Sequence, residues 1–301
     1  MSSGGEESYA KFMLIAVEEA KRSLGEGNHG FGAVLVKDGT VLERARDTEV
    51  TESDPTAHAE IKLVRLAVTR GLARETEGCT VVSTHEPCPM CAGALVWARV
   101  SEIVFGTSIE QSMKLGRTMV NLGCEEVVSR APWKVRVVGG VLASQCSKLY
   151  DSATRDLVKQ FRDGGVDRLR ALDVQLTAKR LAWFENNRDE IVPRLEGSEV
   201  EKAYQLILIK LGIGQEEAPI TEKADDRIVF HSENRCPALD ACEILGLDTR
   251  VVCKLHSEGA TDALIKKLNP DLMFTRNYGR LRPESPFCEE IIELRHNATN
   301  Q

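Results

Sequence analysis

EPCPMCAGALVWAR, residues 86–99, is the stretch from which the rest of the chain is read. It follows the apolar, β-branched run CTVVST at 79–84. Such a run before a proline reads as a strand, and a proline leading into apolar residues at helical spacing opens a helix. The expectation is a strand over 79–84 and a helix from Pro87 to about Arg99. Upstream, DPTAHAE at 54–60 carries a second helix start. Asp54-Pro55 fits an N-cap with proline at the first helical position, and an apolar face continues to Leu72. Two helices thus begin beside chemically loaded residues: His58 and Glu60 on one, Cys88 and Cys91 on the other.

A C-x-x-C pair at a helix start places two sulfurs on one side, where amide N–H groups and the helix dipole favour thiolates. Zinc takes such thiolates together with an imidazole, so His58, Cys88 and Cys91 are the candidate metal ligands. Three protein ligands leave the fourth tetrahedral position open, which is the pattern of a catalytic zinc site rather than a closed structural one. Glu60 lies two residues from His58, within reach to shuttle a proton without binding metal.

Working outward, Phe12, Ile15, Ala16 and Ala20 recur at helical spacing, which predicts an amphipathic helix over 7–24. FGAVLV (31–36), the Lys37-Asp38-Gly39 turn and VLERARD predict a hairpin. SEIVFGT (101–107) reads as a strand, 109–115 as a helix and WKVRVVGG as a further strand. A long helix is expected from Val141 to about Arg162. Alternating helices and strands predict an α/β architecture. Asp163-Gly164-Gly165 is the boundary candidate, giving domains at 1–163 and 164–301. Beyond it come helical stretches at 167–192 and 199–212, a polar segment at 214–226 and a short strand at Arg227–Phe230.

Composition narrows the class. A 301-residue chain with 42% hydrophobic residues is globular, and its length suits two domains. No apolar run approaches the roughly 20 residues that span a bilayer, and the N-terminus lacks the pattern of a secretory signal. Net charge is −7, from 39 Lys and Arg against 46 Asp and Glu, with no basic run, which disfavours a nucleic-acid partner. Nine cysteines, an odd number, argue for reduced thiols in a cytoplasm rather than a disulfide framework.

H-x-E followed by P-C-x-x-C resembles the zinc-dependent cytidine and nucleobase deaminase superfamily, for which this signature is general. The resemblance covers about residues 8–160, through FGAVLVKDG, DPTAHAE, EPCPMCAGALVWAR and the following VFGTS, with guanine and tRNA adenosine deaminases as the nearer branches. It implies a three-layer α/β/α cytidine-deaminase-like sandwich with a mixed five-stranded sheet, here followed by a second α+β domain, and usually a homodimer. It also implies zinc on His58, Cys88 and Cys91, Glu60 as proton shuttle, the Ala59 backbone N–H on the heterocycle and Phe31 walling the pocket. Hydrolytic deamination of a small nucleobase, nucleoside or related N-heterocycle, releasing ammonia, is the implied activity. A tRNA adenosine deaminase and a ligand sensor that retains the zinc pocket are the alternatives; Glu60 favours an enzyme over a sensor.

One departure bears on substrate. Where the family usually carries asparagine in the second strand, this chain has Asp47. An ionised aspartate only accepts hydrogen bonds. Asp47 is therefore expected to face an amino group or ring N–H of an amino-rich heterocycle, unless Arg44 or Arg46 neutralises it. His85 is read as a hydrogen-bonded loop residue, Trp97 as core, Gly139-Gly140 as a turn, and Cys79, Cys124 and Cys146 as buried.

In the second domain Cys236, Cys242, Cys253 and Cys288 follow spacings of 6, 11 and 35, which match no metal pattern. CPALDACEILGLD and ESPFCEEIIEL resemble, at scattered positions, L-2-amino-thiazoline-4-carboxylic acid hydrolase-like domains. A second hydrolase with a cysteine nucleophile, a ligand sensor and an oligomerisation or lid module remain open, with buried structural cysteines as the plainest expectation.

Overall fold

A computed structural model of the chain describes residues 4–71 and 76–295. It divides into two compact units, Met1–Lys159 and Gln160–Gln301.

The first unit runs α1 (Gly4–Glu26), β1 (Gly32–Lys37), β2 (Thr40–Arg46), α2 (Glu49–Glu52), α3 (Ala59–Thr69), β3 (Thr80–His85), α4 (Pro89–Trp97), β4 (Glu102–Thr107), α5 (Ile109–Lys114), α6 (Cys124–Val128), β5 (Arg136–Val138) and α7 (Ala143–Lys148). Its five strands lie in the order β2-β1-β3-β4-β5. β1 is antiparallel to β2 and β3, whereas β3, β4 and β5 are parallel, so the sheet is mixed as expected.

Helices cover both faces. Gly32, Thr84 and Gly106 line up across β1, β3 and β4 and face α1 and α7. A Cβ at Gly32 would lie 2.0 Å from the carbonyl oxygen of Ala16, so α1 rests directly on the strand. A Cβ at Gly106 would lie 2.4 Å from Cys146 Sγ on α7. Both glycines are there because nothing larger fits. The opposite face, with Ala33, Ser83 and Phe105, meets α3, and α4 packs against α3. The result is the three-layer sandwich anticipated from the sequence.

Three boundaries differ from expectation. Asp54 does not cap α3: its Oδ1 accepts from the N–H and hydroxyl of Thr56, at 2.8 and 2.7 Å. That local turn competes with helix, and α3 begins at Ala59 with His58 as N-cap. Leu72, its expected end, lies outside the described residues. α4 starts after Cys88 rather than Pro87, with Pro89 in its first turn, and stops at Trp97. The helix expected over 141–162 is broken: α7 ends at Lys148, and α8 (Ser152–Ile191) restarts after Asp151 accepts from the Thr154 N–H at 2.8 Å. α2 and α6 were not anticipated.

α8 leaves helical geometry at Gly165 (φ 56°, ψ −160°). The second unit continues with α9 (Glu199–Leu211), β6 (Ile220–Lys223), β7 (Arg227–Ser232), α10 (Pro237–Leu245), α11 (Thr249–His256), α12 (Glu258–Ile265), β8 (Leu272–Arg276) and β9 (Cys288–Leu294). Its four strands form an antiparallel sheet in the order β6-β7-β9-β8. Ile228, Phe230, Phe274 and Ile292 of this sheet pack against Val200, Tyr204 and Ile207 of α9. β6 falls in the stretch read as merely polar, because all four of its residues are exposed and leave no apolar alternation.

All nine cysteines are free thiols. Among the described residues, no helix is long and apolar enough to cross a membrane.

Candidate metal centre and pocket

The parallel half of the first sheet sets up the site, because β3 delivers the chain to the N-terminus of α4 at its carboxyl end. Cys88 is the N-cap of α4 and Cys91 sits in its first turn; His58 is the N-cap of α3. None of the three side chains is consumed in capping its own helix. The His58 Nδ1 lies 3.6 Å from Cys88 Sγ and 3.4 Å from Cys91 Sγ, and the three donor atoms fall within 4.8 Å of one another. Among the described residues this is the His, Cys and carboxylate group with the convergence a metal needs.

The group behind the imidazole fits the same use. His58 Nε2 lies 3.4 Å from Glu49 Oε1 of α2, a carboxylate that orients the ring with Nδ1 toward the sulfurs. Sequence reasoning missed Glu49, since α2 is only four residues long and has no apolar pattern. The Cys91 thiol and the His58 ring hold Cys88 well below the usual thiol range, to about 4, so the cluster carries a thiolate at neutral pH. Cys91, on the donating side of that pair, is pushed up, and hydrogen bonding to Cys88 raises His58 to about 9. An imidazole and two sulfurs, one already ionised, form a donor set that suits zinc.

Glu60 is buried in the first turn of α3 and accepts from the Ser83 hydroxyl at 2.6 Å. Burial raises its pKa, which favours a carboxyl that can hold a proton. Ala59 opens α3, and its N–H belongs to the first-turn amides that a helix cannot satisfy itself.

Phe31 forms an aromatic wall. Its ring lies near-parallel to His58 at 6.4 Å, stacks on Tyr150 at 5.3 Å and meets His85 edge-on at 5.3 Å. The Arg117 guanidinium sits 4.7 Å above the Phe31 ring and donates to the His29 carbonyl at 3.4 Å. Burial and the neighbouring Arg155 lower Arg117 to about 10, which leaves it cationic at neutral pH. Tyr150 and Arg117 carry no local motif; Tyr150 reaches the wall because the helical run breaks there.

Residues 6–107 match the model of the cytidine and deoxycytidylate deaminase zinc-binding region. The chain is 37% identical over 149 residues to the tRNA-specific adenosine deaminase of Bacillus subtilis (strain 168), covering 50% of this chain and 90% of that protein. The chain belongs to the zinc-dependent cytidine deaminase superfamily. It is also 34% identical over 110 residues to the guanine deaminase of the same organism, covering 36% of this chain and 70% of that one. A solved chain from structural studies of A-to-I editing by tRNA:A34 deaminases aligns with 29% identity and a TM-score of 0.40, over 46% of this chain and 98% of that one.

Within this deaminase fold, Asp47 occupies a different role from the one expected of it. It is fully buried, and its oxygens accept from the N–H groups of His29 (2.9 Å) and Phe31 (2.8 Å) and from the Ser23 hydroxyl. Both oxygens are thus engaged by the chain itself, and what Asp47 fixes is the backbone that presents Phe31. Arg46 pairs with Glu26 and Glu19, and Arg44 with Glu19, so neither neutralises it. Trp97 is 82% exposed and meets Trp133 edge-on, so it belongs neither to core nor to pocket. Cys79, Cys124 and Cys146 are buried, as expected.

Proposed function

We propose that this chain is a zinc-dependent hydrolytic deaminase that replaces the exocyclic amino group of a small N-heterocycle with a carbonyl and releases ammonia. The observation that carries the reading is the convergence of His58, Cys88 and Cys91 beside the buried Glu60 carboxyl. His58 Nδ1 and the two Sγ atoms would hold zinc, which supplies Lewis acidity and brings the ionisation of water near neutral pH. Glu60 would take the proton from the attacking water and pass it to the departing amino nitrogen, so that water and an amidine carbon become a carbonyl and ammonia. Ser83 holds the Glu60 carboxyl in place during that transfer. Phe31, backed by the buried Tyr150, would wall the pocket around a flat substrate, and the Ala59 N–H would offer it a donor.

The small-molecule reading rests on an enclosed aromatic wall and on an acidic chain. A second reading, deamination of adenosine in tRNA, is favoured by the 37% identity to the Bacillus subtilis enzyme of that name.

Ammonia release from bases, nucleosides, aminopyrimidines, pterins and triazines, run beside an adenosine-bearing tRNA stem-loop, decides between the two. Turnover of at least one small heterocycle is expected, and Cys88→Ser should lose both zinc and turnover. Activity on the stem-loop alone would establish the second reading. Zinc-loaded protein that is inert throughout would refute both.

A further inference from the structure

The sheet of the second unit is apolar along most of its covered face and polar at one end. Alternate residues on that face run Ile228, Phe230, Ser232 on β7, Ile292, Glu290 on β9, and Leu272, Phe274, Arg276 on β8. Glu290 is buried and engaged at both oxygens, accepting from Arg276 Nε at 2.8 Å and from the Ser232 hydroxyl at 2.6 Å. Arg276 and Glu290 therefore cancel.

A second cation stands beside them without such a partner. Arg180 of α8 donates to the Thr261 hydroxyl, and among the described residues no carboxylate oxygen lies within 4.0 Å of its guanidinium. Burial and the charge of Arg276 lower its pKa to about 10, so it remains charged at neutral pH. Two further groups within electrostatic range are left incomplete. Asp173, two turns earlier on α8, has an oxygen, Oδ1, that is buried without a donor. His256, 8% exposed at the end of α11, has a buried Nδ1 without a partner, while its ring meets Phe161 edge-on at 5.4 Å. Gly259 leaves the room this requires, since a Cβ there would lie 2.9 Å from Asp173 Oδ2.

Buried polar atoms are nearly always paired, and leaving one unpaired is costly. Two buried atoms without partners, beside a cation without a counter-charge, describe a ligand. We propose that this end of the second sheet binds a small molecule bearing an oxyanion, a carboxylate or a phosphate, anchored by Arg180, with Asp173 and His256 facing hydrogen-bonding groups elsewhere on the ligand. The site is independent of the deaminase reading and gives the second unit a binding role.

Thermal unfolding of the full chain tests this at matched ionic strength in sodium chloride, sodium acetate and sodium phosphate. Phosphate also stabilises folded proteins by exclusion, so the readout is the difference between wild type and Arg180→Met. An oxyanion should raise the wild-type Tm by about 2–4 °C more than that of the variant. In chloride the variant should be as stable as wild type or more so, because an unpaired partly buried cation has been replaced by an apolar side chain of similar length. A differential shift with acetate alone assigns a carboxylate ligand, and one with phosphate alone a phosphate ligand. Equal shifts in both proteins, or none in either, overturn the proposal. If Arg180→Met does not fold, Asp173→Asn serves: removing the nearby negative charge should enlarge the oxyanion shift, and an unchanged shift would count against the site.

Discussion

Each of the two sheets carries a polar cluster at one end, and the clusters are built in opposite ways. In the first unit the reactive groups stand at helix N-termini. His58 and Cys88 are N-caps and Cys91 follows within a turn, all beyond the strands proper. In the second unit the polar groups Ser232, Glu290 and Arg276 lie on the strands themselves, on the face that elsewhere forms the core. A sheet with parallel strands followed by helices leaves a crevice at its carboxyl ends, where function can be placed without disturbing the core. An antiparallel sheet offers no such crevice, so a polar site there displaces core. The first arrangement suits chemistry, and the second ties binding to stability.

Four substitutions sharpen or break this contrast. Glu60→Gln should lower the rate of deamination by about 10²–10⁴-fold while zinc content, read by atomic absorption, stays the same. A variant that lost zinc instead would make Glu60 part of the scaffold and erase the distinction. Glu290→Gln should destabilise the second unit by about 3–5 kcal/mol, measured by urea unfolding, because it leaves Arg276 buried without its counter-charge. If the cost were negligible, that cluster would not be integral to its core.

The third concerns pH. Burial lowers the pKa of His85 to about 4, while the Glu86 carbonyl, 2.7 Å from Nδ1, favours the proton there. The unfolded chain binds a proton at this residue below about pH 6.5, and the folded chain does so only near pH 4. The stability that His85 contributes is therefore complete above pH 6.5 and is lost as pH falls toward 4, about 3 kcal/mol in all. His85→Leu should flatten the decline in unfolding free energy between those limits; an unchanged slope would show the ring to be open to water. Asp47→Ala should cost about 2 kcal/mol and raise KM more than it lowers kcat, since it frees the backbone behind Phe31 and leaves Glu60 untouched. A change confined to kcat would return Asp47 to direct contact with the reacting ring.

The same contrast explains what was legible in the sequence. His58 with Glu60, and Cys88 with Cys91, could be read because each pair stands within a few residues at one helix start, so spacing reports geometry. The strands of the first unit needed only the alternation of short apolar runs, whereas their order in the sheet came with the structure. The identity of Asp47 was visible but its role was not, because its partners are the backbone N–H groups of residues 29 and 31, which no side-chain pattern marks. Glu49, Tyr150 and Arg117 reach the pocket from a short helix, a helix break and a loop, none of which has a periodic signature. Arg180, His256, Arg276 and Glu290 span more than a hundred residues of chain and meet only once the second sheet has formed.

Gly32 has a bearing on how natural variation in this chain would read. The carbonyl of Ala16 and the amide of Ala20 stand where its side chain would begin, so even alanine would lift α1 off the strand. In a saturation scan scored by growth, Gly32 and Gly106 would be as intolerant as any metal ligand, though neither touches substrate or proton. Sorting the two kinds of position requires a second score, the amount of folded protein: the glycines would fail both, whereas Glu60 would fail only the first.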